Sequence, residues 1–187
     1  MDFQRIIDKY YPADSELRDI FMAHSRQVAS LALEILEKKS LPLDKNMVET
    51  AAMLHDIGIF MTDAPGIECR GSHPYILHGR LGADLLRKEG VAEEIALVAE
   101  RHTGSGITVE DIARQNLPLS TDRYYMPESL LEKLICYADK FYSKSGKGGK
   151  KTVDEIRIGM RRHSTESLER FDNLHRIFGE DNHKINS

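Results

Sequence analysis

A histidine sits where an apolar residue belongs: Phe21, His24, Val28, Leu31 and Ile35 recur three and four apart through a segment rich in Ala, Leu and Glu, the spacing of one buried helical face. The pattern returns along the chain. Met47, Val48, Ala51, Leu54 and His55 share the inner side of a helix expected over 45–57 and stopped by Gly58. His78, Leu81, Gly82 and Leu85 define a helix closed by Gly90. Ile95, Val98 and His102 mark another that ends at Gly104-Ser105-Gly106, and Leu131, Ile135, Ala138 and Asp139 run along one side of a further one. A buried imidazole or carboxylate costs free energy unless something pairs with it. Polar groups on the core-facing stripes of several helices therefore need a common partner or separate ones.

No strand-like alternation lasts more than a few residues and no repeat of domain-building length is visible. The chain reads as an all-α, single-domain helical bundle over residues 1–187, with its core at about 21–142. A loop rich in Gly, Pro and His is expected over 60–74 and an excursion over 107–127. Ser-Lys-Ser-Gly-Lys-Gly-Gly-Lys-Lys at 143–151 is too glycine-rich for a helix and reads as a mobile surface loop. One amphipathic helix is predicted over 153–178, followed by a frayed tail at 179–187.

Composition narrows the class. Apolar residues make up 41% and charged residues 30% of 187 residues, a globular profile. No apolar run reaches the roughly 18 residues a membrane helix needs, and Asp2, Asp8, Asp14, Glu16 and Asp19 make the start unlike a signal peptide. A cytoplasmic protein is expected. Cys69 and Cys136 form no CxxC pair, which suits a reducing compartment and argues against a cysteine-based zinc site. The net charge of −4 gives no general signal for nucleic acid or an anionic membrane.

Metal ions are the economical partner for His24, His55, Asp56, His78, His102 and Asp139. Six ligands exceed one tetrahedral site, whereas two cations sharing a carboxylate would use them all. Asp56, adjacent to His55, is the natural bridge. Because imidazole dominates, two divalent transition-metal ions are expected, with Fe, Mn, Co or Ni favoured over Mg. Taken singly, each histidine could instead bond a backbone carbonyl, Asp139 could cap a turn or pair with Lys140 or Lys144, and Gly58 could be a plain helix stop.

The ordered set His24, then Leu54-His55-Asp56-Ile57-Gly58, then Ala138-Asp139 resembles the HD-domain superfamily of metal-dependent phosphohydrolases over about residues 21–142. His78 with Gly82-Ala83, and Arg101-His102-Thr103 with Gly104, are similar to the two further histidine motifs of its dinuclear subset, which includes dinucleoside polyphosphate hydrolases and cyclic-dinucleotide phosphodiesterases. That resemblance implies one metal on His24, His55, Asp56 and Asp139 and a second on Asp56, His78 and His102. It implies hydrolysis of a phosphate ester or anhydride by metal-activated water, on a small phosphorylated substrate, a nucleotide by resemblance. It also offers two alternatives: an HD-type dinuclear iron oxygenase, and a metal-stabilised nucleotide-binding module without turnover.

The chain departs from its relatives after the His-Asp pair, where Ile59-Phe60-Met61-Thr62 replace the phosphate-contacting Lys or Arg that many carry. Arg80 is the substitute favoured for phosphate contact, Arg70 being a nearby candidate, and His73 the candidate proton donor to the leaving group. A phosphate-loop reading of 146–152 fails on spacing, because Lys151 stands where the second glycine is required. Tyr124, Tyr125 and Tyr137 could stack on a base, although aromatics near helical spacing usually belong to a core.

Overall fold

The computed structural model describes residues 2–145 and 149–180. Among them the helices are α1 (Phe3–Tyr10), α2 (Glu16–Lys38), α3 (Lys45–Leu54), α4 (His78–Lys88), α5 (Glu93–Arg101), α6 (Val109–Gln115), α7 (Leu130–Asp139), α8 (Val153–His163) and α9 (Thr165–Phe178). The fold is all-α, as the periodicity predicts. Among the described residues the named strands are three short pieces, β1 (Thr62–Ala64), β2 (Cys69–Arg70) and β3 (His73–Pro74). They form a small sheet ordered β2-β1-β3, with β2 antiparallel and β3 parallel to β1. It lies inside the segment expected to be a loop, and its strands are too short for alternation to register in the sequence.

Helix α2 is the axis of the bundle. The Ser15 hydroxyl accepts from the Arg18 N–H at its start, and Phe21, His24, Val28, Leu31, Ala32 and Ile35 face inward. It packs against α3 and α7, while α5 lies against α4, α7 and α3. One buried apolar cluster runs from Ile6 and Ile7 on α1 to Phe178 on α9. Burial of that kind is the main stabilising term of a domain. No helix among the described residues is long and apolar enough to cross a membrane.

Several boundaries differ from those expected, each for a local reason. Helix α1 was not expected. Asp2 caps it, Ile6 and Ile7 bury one side, and the following Tyr11 donates its hydroxyl hydrogen to the Ile57 carbonyl at 3.0 Å. The excursion over 107–127 contains α6, started by reciprocal bonds between Thr108 and Asp111. The single helix predicted over 153–178 is two: Ser164 is extended at φ −174°, and its hydroxyl accepts from the Ser167 N–H at 2.9 Å to begin α9. A serine hydroxyl competes with the helical ladder in this way, and apolar periodicity cannot register it.

The described ends of the glycine-lysine segment are held against the rest of the domain. The Lys144 side chain is only 14% exposed, and the Lys151 N–H donates to the Phe141 carbonyl at 2.8 Å, closing the loop at its base. Residues 146–148, and 181–187 of the expected tail, lie outside the described residues.

Candidate metal centre

Five helices deliver the polar groups, four of them at their ends. His24 projects from the middle of α2, His55 follows the last residue of α3, His78 begins α4, His102 follows α5, and Asp139 closes α7. Helix α3 stops at Leu54, short of the predicted 57, so His55 and Asp56 sit on a turn where adjacent side chains can converge. All six residues are buried, His55 and Asp56 completely.

Gly58 is more than a helix stop. Its φ of −85° is open to any residue, yet a Cβ there would lie 2.3 Å from the His78 carbonyl oxygen and 2.5 Å from the Gly82 nitrogen. The missing side chain lets α4 close on the turn after Asp56 and carries His78 to that carboxylate. Gly82, facing Gly58 from α4, contributes the other half of the approach.

The ligand atoms form two sets joined at Asp56. In the first, the His24 and His55 Nε2 atoms each lie 3.2 Å from Asp56 Oδ2, and His24 Nε2 is 2.9 Å and His55 Nε2 3.5 Å from Asp139 Oδ1. In the second, His78 Nε2 is 3.4 Å and His102 Nε2 3.3 Å from Asp56 Oδ1. Ligands bonded at about 2.1 Å around one transition-metal ion are separated by about 3.0 to 3.4 Å along tetrahedral or octahedral edges. The observed separations bracket that range.

Tautomers strengthen the fit. The Nδ1–H groups of His55, His78 and His102 donate to the carbonyls of Ala52, Tyr75 and Ala99 at 2.6, 2.7 and 2.8 Å. A carbonyl can only accept, so each bond places a hydrogen on Nδ1 and turns Nε2 inward. Each partner is the carbonyl three residues earlier, a geometry that also fixes ring orientation. The His78 and His102 Nε2 atoms face each other at 3.1 Å. Two lone pairs that close repel unless a proton or cation lies between them. Both Asp56 oxygens are buried and accept no hydrogen bond. The residues present could therefore hold divalent metal, with His24, His55, Asp56 and Asp139 in one group and Asp56, His78 and His102 in the other.

Charge inside the site is strongly coupled. Burial would raise the Asp56 carboxyl, but Lys144 and then His55 outweigh it and hold it well below the usual carboxylate range. Burial is likewise outweighed at Asp139 by Lys140 and Lys144. For His55, burial lowers the pKa, but Asp56 and Asp139 more than reverse it and raise it to about 9. Burial pushes His78 down to about 3 and lowers His102 as well. Burial also raises both cysteine thiols, to about 11, which keeps them protonated.

The cluster opens into a cavity of about 860 Å³. His78, His102 and Asp139 line it together with Tyr75, Lys144 and, from α8, Ile156, Gly159, Met160 and His163. Lys144 Nζ reaches Asp56 Oδ2 at 2.7 Å, and Lys140 Nζ reaches Asp139 Oδ2 at 2.7 Å and donates to the His102 carbonyl at 3.2 Å. Neither was among the favoured functional residues, although the only sequence hint was there: two lysines, one and five residues after Asp139.

Arg80 and His73 are not brought to this cluster. Arg80 follows His78 by two residues, which turns it about 200° around α4, and its Nε lies 3.9 Å from Asp84 Oδ2. His73 is exposed on β3, and Arg70 is exposed on β2. Tyr137 is a core residue stacked on Phe171, Tyr125 is buried in a smaller cluster with Ile112 and Leu119, and Tyr124 is exposed against Arg101.

Comparison with known proteins gives a consistent family and a mixed set of names. The HD domain family matches residues 21–143. The chain is 39% identical over 118 residues to the uncharacterized protein MJ0778 of Methanocaldococcus jannaschii, a match covering 63% of this chain and 61% of that one. It is 32% identical to two proteins named tRNA (cytidine(56)-2'-O)-methyltransferase. Over 125 residues the Picrophilus torridus protein matches 67% of this chain and 32% of its own length. Over 142 residues the Thermoplasma volcanium protein matches 76% and 37%. The chain thus spans about a third of those two relatives. Among solved structures, the HD domain of the L. monocytogenes phosphodiesterase PgpH superimposes with a TM-score of 0.53 at 15% identity, covering 92% of this chain and 94% of that domain. The same domain in complex with cyclic-di-AMP gives 0.54 at 16% identity, covering 93% and 94%. At that identity the likeness is one of fold.

Proposed function

The chain belongs to the HD domain family, whose members bind divalent metals, and from that membership we propose that it is a phosphohydrolase that cleaves a phosphate ester or anhydride of a nucleotide. The observation that carries the reading is the Asp56 carboxylate: each of its oxygens is buried, accepts no hydrogen bond and faces a different set of Nε2 atoms. His24, His55, Asp56 and Asp139 would hold one divalent cation, and Asp56, His78 and His102 a second. Cations there supply Lewis acidity toward phosphoryl oxygen and a lowered pKa for a coordinated water.

The protein's own contribution is positioning. The carbonyls of Ala52, Tyr75 and Ala99 orient the imidazoles before anything binds, so little reorganisation is left for the reaction. Lys140 holds the outer Asp139 oxygen, leaving Oδ1 to face His24. Tyr75 stacks on His78 with ring centroids 4.7 Å apart and fixes the rim of the cavity. A nucleotide is supported by the cavity's size, which falls within the about 300 to 1,000 Å³ usual for small-molecule sites. Its mixed lining supports the same substrate class, with Ile67 and Met160 offering an apolar surface and Lys144 and Lys151 positive charge. The PgpH domain that accommodates cyclic-di-AMP makes a cyclic dinucleotide a reasonable member of the substrate panel. Two thirds of each methyltransferase relative lies outside the match, and methyl transfer is no part of this reading.

The test is a panel of nucleoside monophosphates, dinucleoside polyphosphates and cyclic nucleotides, assayed without oxygen in the presence of Mn²⁺, Co²⁺, Ni²⁺ or Fe²⁺. Release of phosphate or a smaller nucleotide is expected. Turnover that requires oxygen would replace hydrolysis with the oxygenase alternative, and binding without turnover would leave a nucleotide-binding module.

A further inference from the structure

The segment after the His-Asp pair carries no cation, yet the cavity does not lack one. Lys144 is held only 14% exposed at its wall, with its Nζ 2.7 Å from Asp56 Oδ2 and 5.9 Å from the centre of the Tyr75 ring. The contact with Asp56 is an ion pair without hydrogen-bond geometry, since that oxygen accepts no hydrogen bond. It is also the oxygen that His24 and His55 face at 3.2 Å. An ammonium and a metal ion would compete for that oxygen, since both are cations.

Lys140 is different. Its Nζ is shared between Asp139 Oδ2 and the His102 carbonyl, and Asp139 turns its other oxygen to His24. That ammonium can stay where it is when the site loads. The ammonium groups of Lys140 and Lys144 lie against the carboxylates of Asp139 and Asp56. Divalent cations held by these carboxylates would repel the Lys144 ammonium and favour its contact with an anion. Its four-carbon stem can swing without moving the backbone, and the space beside it is the cavity.

We propose that Lys144 is the phosphate-binding cation of this site, its ammonium standing beside Asp56 at the cavity wall, where it can engage a substrate phosphate. This rests on the two-cation reading given above. The loop that carries it is closed at its base by the bond from Lys151 to Phe141, so the lysine is supplied from behind Asp139 and not from behind Asp56.

Titration of wild type, Lys144→Met and Lys144→Arg first with Mn²⁺ and then, on the Mn²⁺-loaded proteins, with inorganic phosphate separates the possibilities. Loss of a charged hydrogen-bond donor should weaken phosphate binding about tenfold or more in Lys144→Met, with Lys144→Arg recovering most of it. Mn²⁺ should bind Lys144→Met more tightly than wild type, by about tenfold, because no ammonium has to be displaced. Mn²⁺ uptake also reports that the variant has folded around its site. Phosphate affinity in Mn²⁺-loaded Lys144→Met within about twofold of wild type, or Mn²⁺ binding weaker than in wild type, would overturn the assignment of Lys144 alone. Wild-type protein that takes up no Mn²⁺ would overturn the metal reading and this assignment with it.

Discussion

At Asp56 a fully buried carboxylate meets four imidazoles, and each oxygen has its own pair. Removing that carboxylate should disturb both cation positions, whereas removing a ligand of one set should not. Asp56→Ala is therefore expected to lose both metals, and His102→Ala to keep one, held by His24, His55, Asp56 and Asp139. Metal content by mass spectrometry checks this, and a His102→Ala protein with no metal at all would argue against separable positions. The six residues that gather in the cluster could be picked out in the sequence because a histidine on an apolar stripe is conspicuous. The carbonyls that orient them could not, since every residue has one. Position 80 shares a helical turn with His78 but not its face, which proximity in sequence does not reveal, and a lysine in a glycine-rich stretch such as Lys144 reads as surface charge.

Among the elements, approach and alignment decide whether these side chains meet. Gly58→Ala places a methyl group 2.3 Å from the His78 carbonyl, so α4 must back away. Overpacking of this kind costs about 1 to 3 kcal/mol. The expected outcome is a folded protein with a lowered melting temperature that has lost the metal bound by His78 and His102 before the other; unchanged melting and metal content would contradict the role given to this glycine. Glu132, at the start of α7, ties that helix to α5: it accepts from the Glu128 N–H at 2.9 Å and pairs with Arg101 at 3.1 Å.

Burial would raise the Glu132 pKa, but the Glu128 N–H, Ser129 and Arg101 lower it overall. A carboxyl lowered on folding contributes stability above its unfolded pKa and loses it as pH falls through the folded value. Glu132→Gln should therefore destabilise the protein at neutral pH, by about 1 to 3 kcal/mol. The gap from wild type should close as the pH falls below the ordinary carboxylate range. Denaturant melts across that range check it, and a gap that stays constant would contradict the assignment. Helix existence was legible from periodicity, while the split at Ser164 and the early end of α3 turn on local hydrogen bonds that periodicity does not carry.

Across the whole molecule, the same ligands that close the site also join α2, α3, α4, α5 and α7. Metal binding should therefore stabilise the fold, by about 2.7 kcal/mol when free metal stands at a hundred times its Kd. Adding a chelator should lower the melting temperature of wild type but leave Asp56→Ala unmoved. The all-α class and the small-residue contact at Gly58 and Gly82 both follow from one requirement, that helices distant in sequence bring their polar groups to a single point. That point is tested most directly by a crystal grown with Mn²⁺ and measured for anomalous scattering. Two peaks about 3.5 to 4 Å apart, one beside Asp56 Oδ1 and the other beside Oδ2, are predicted; an empty cluster, or manganese bound away from Asp56, would contradict the account.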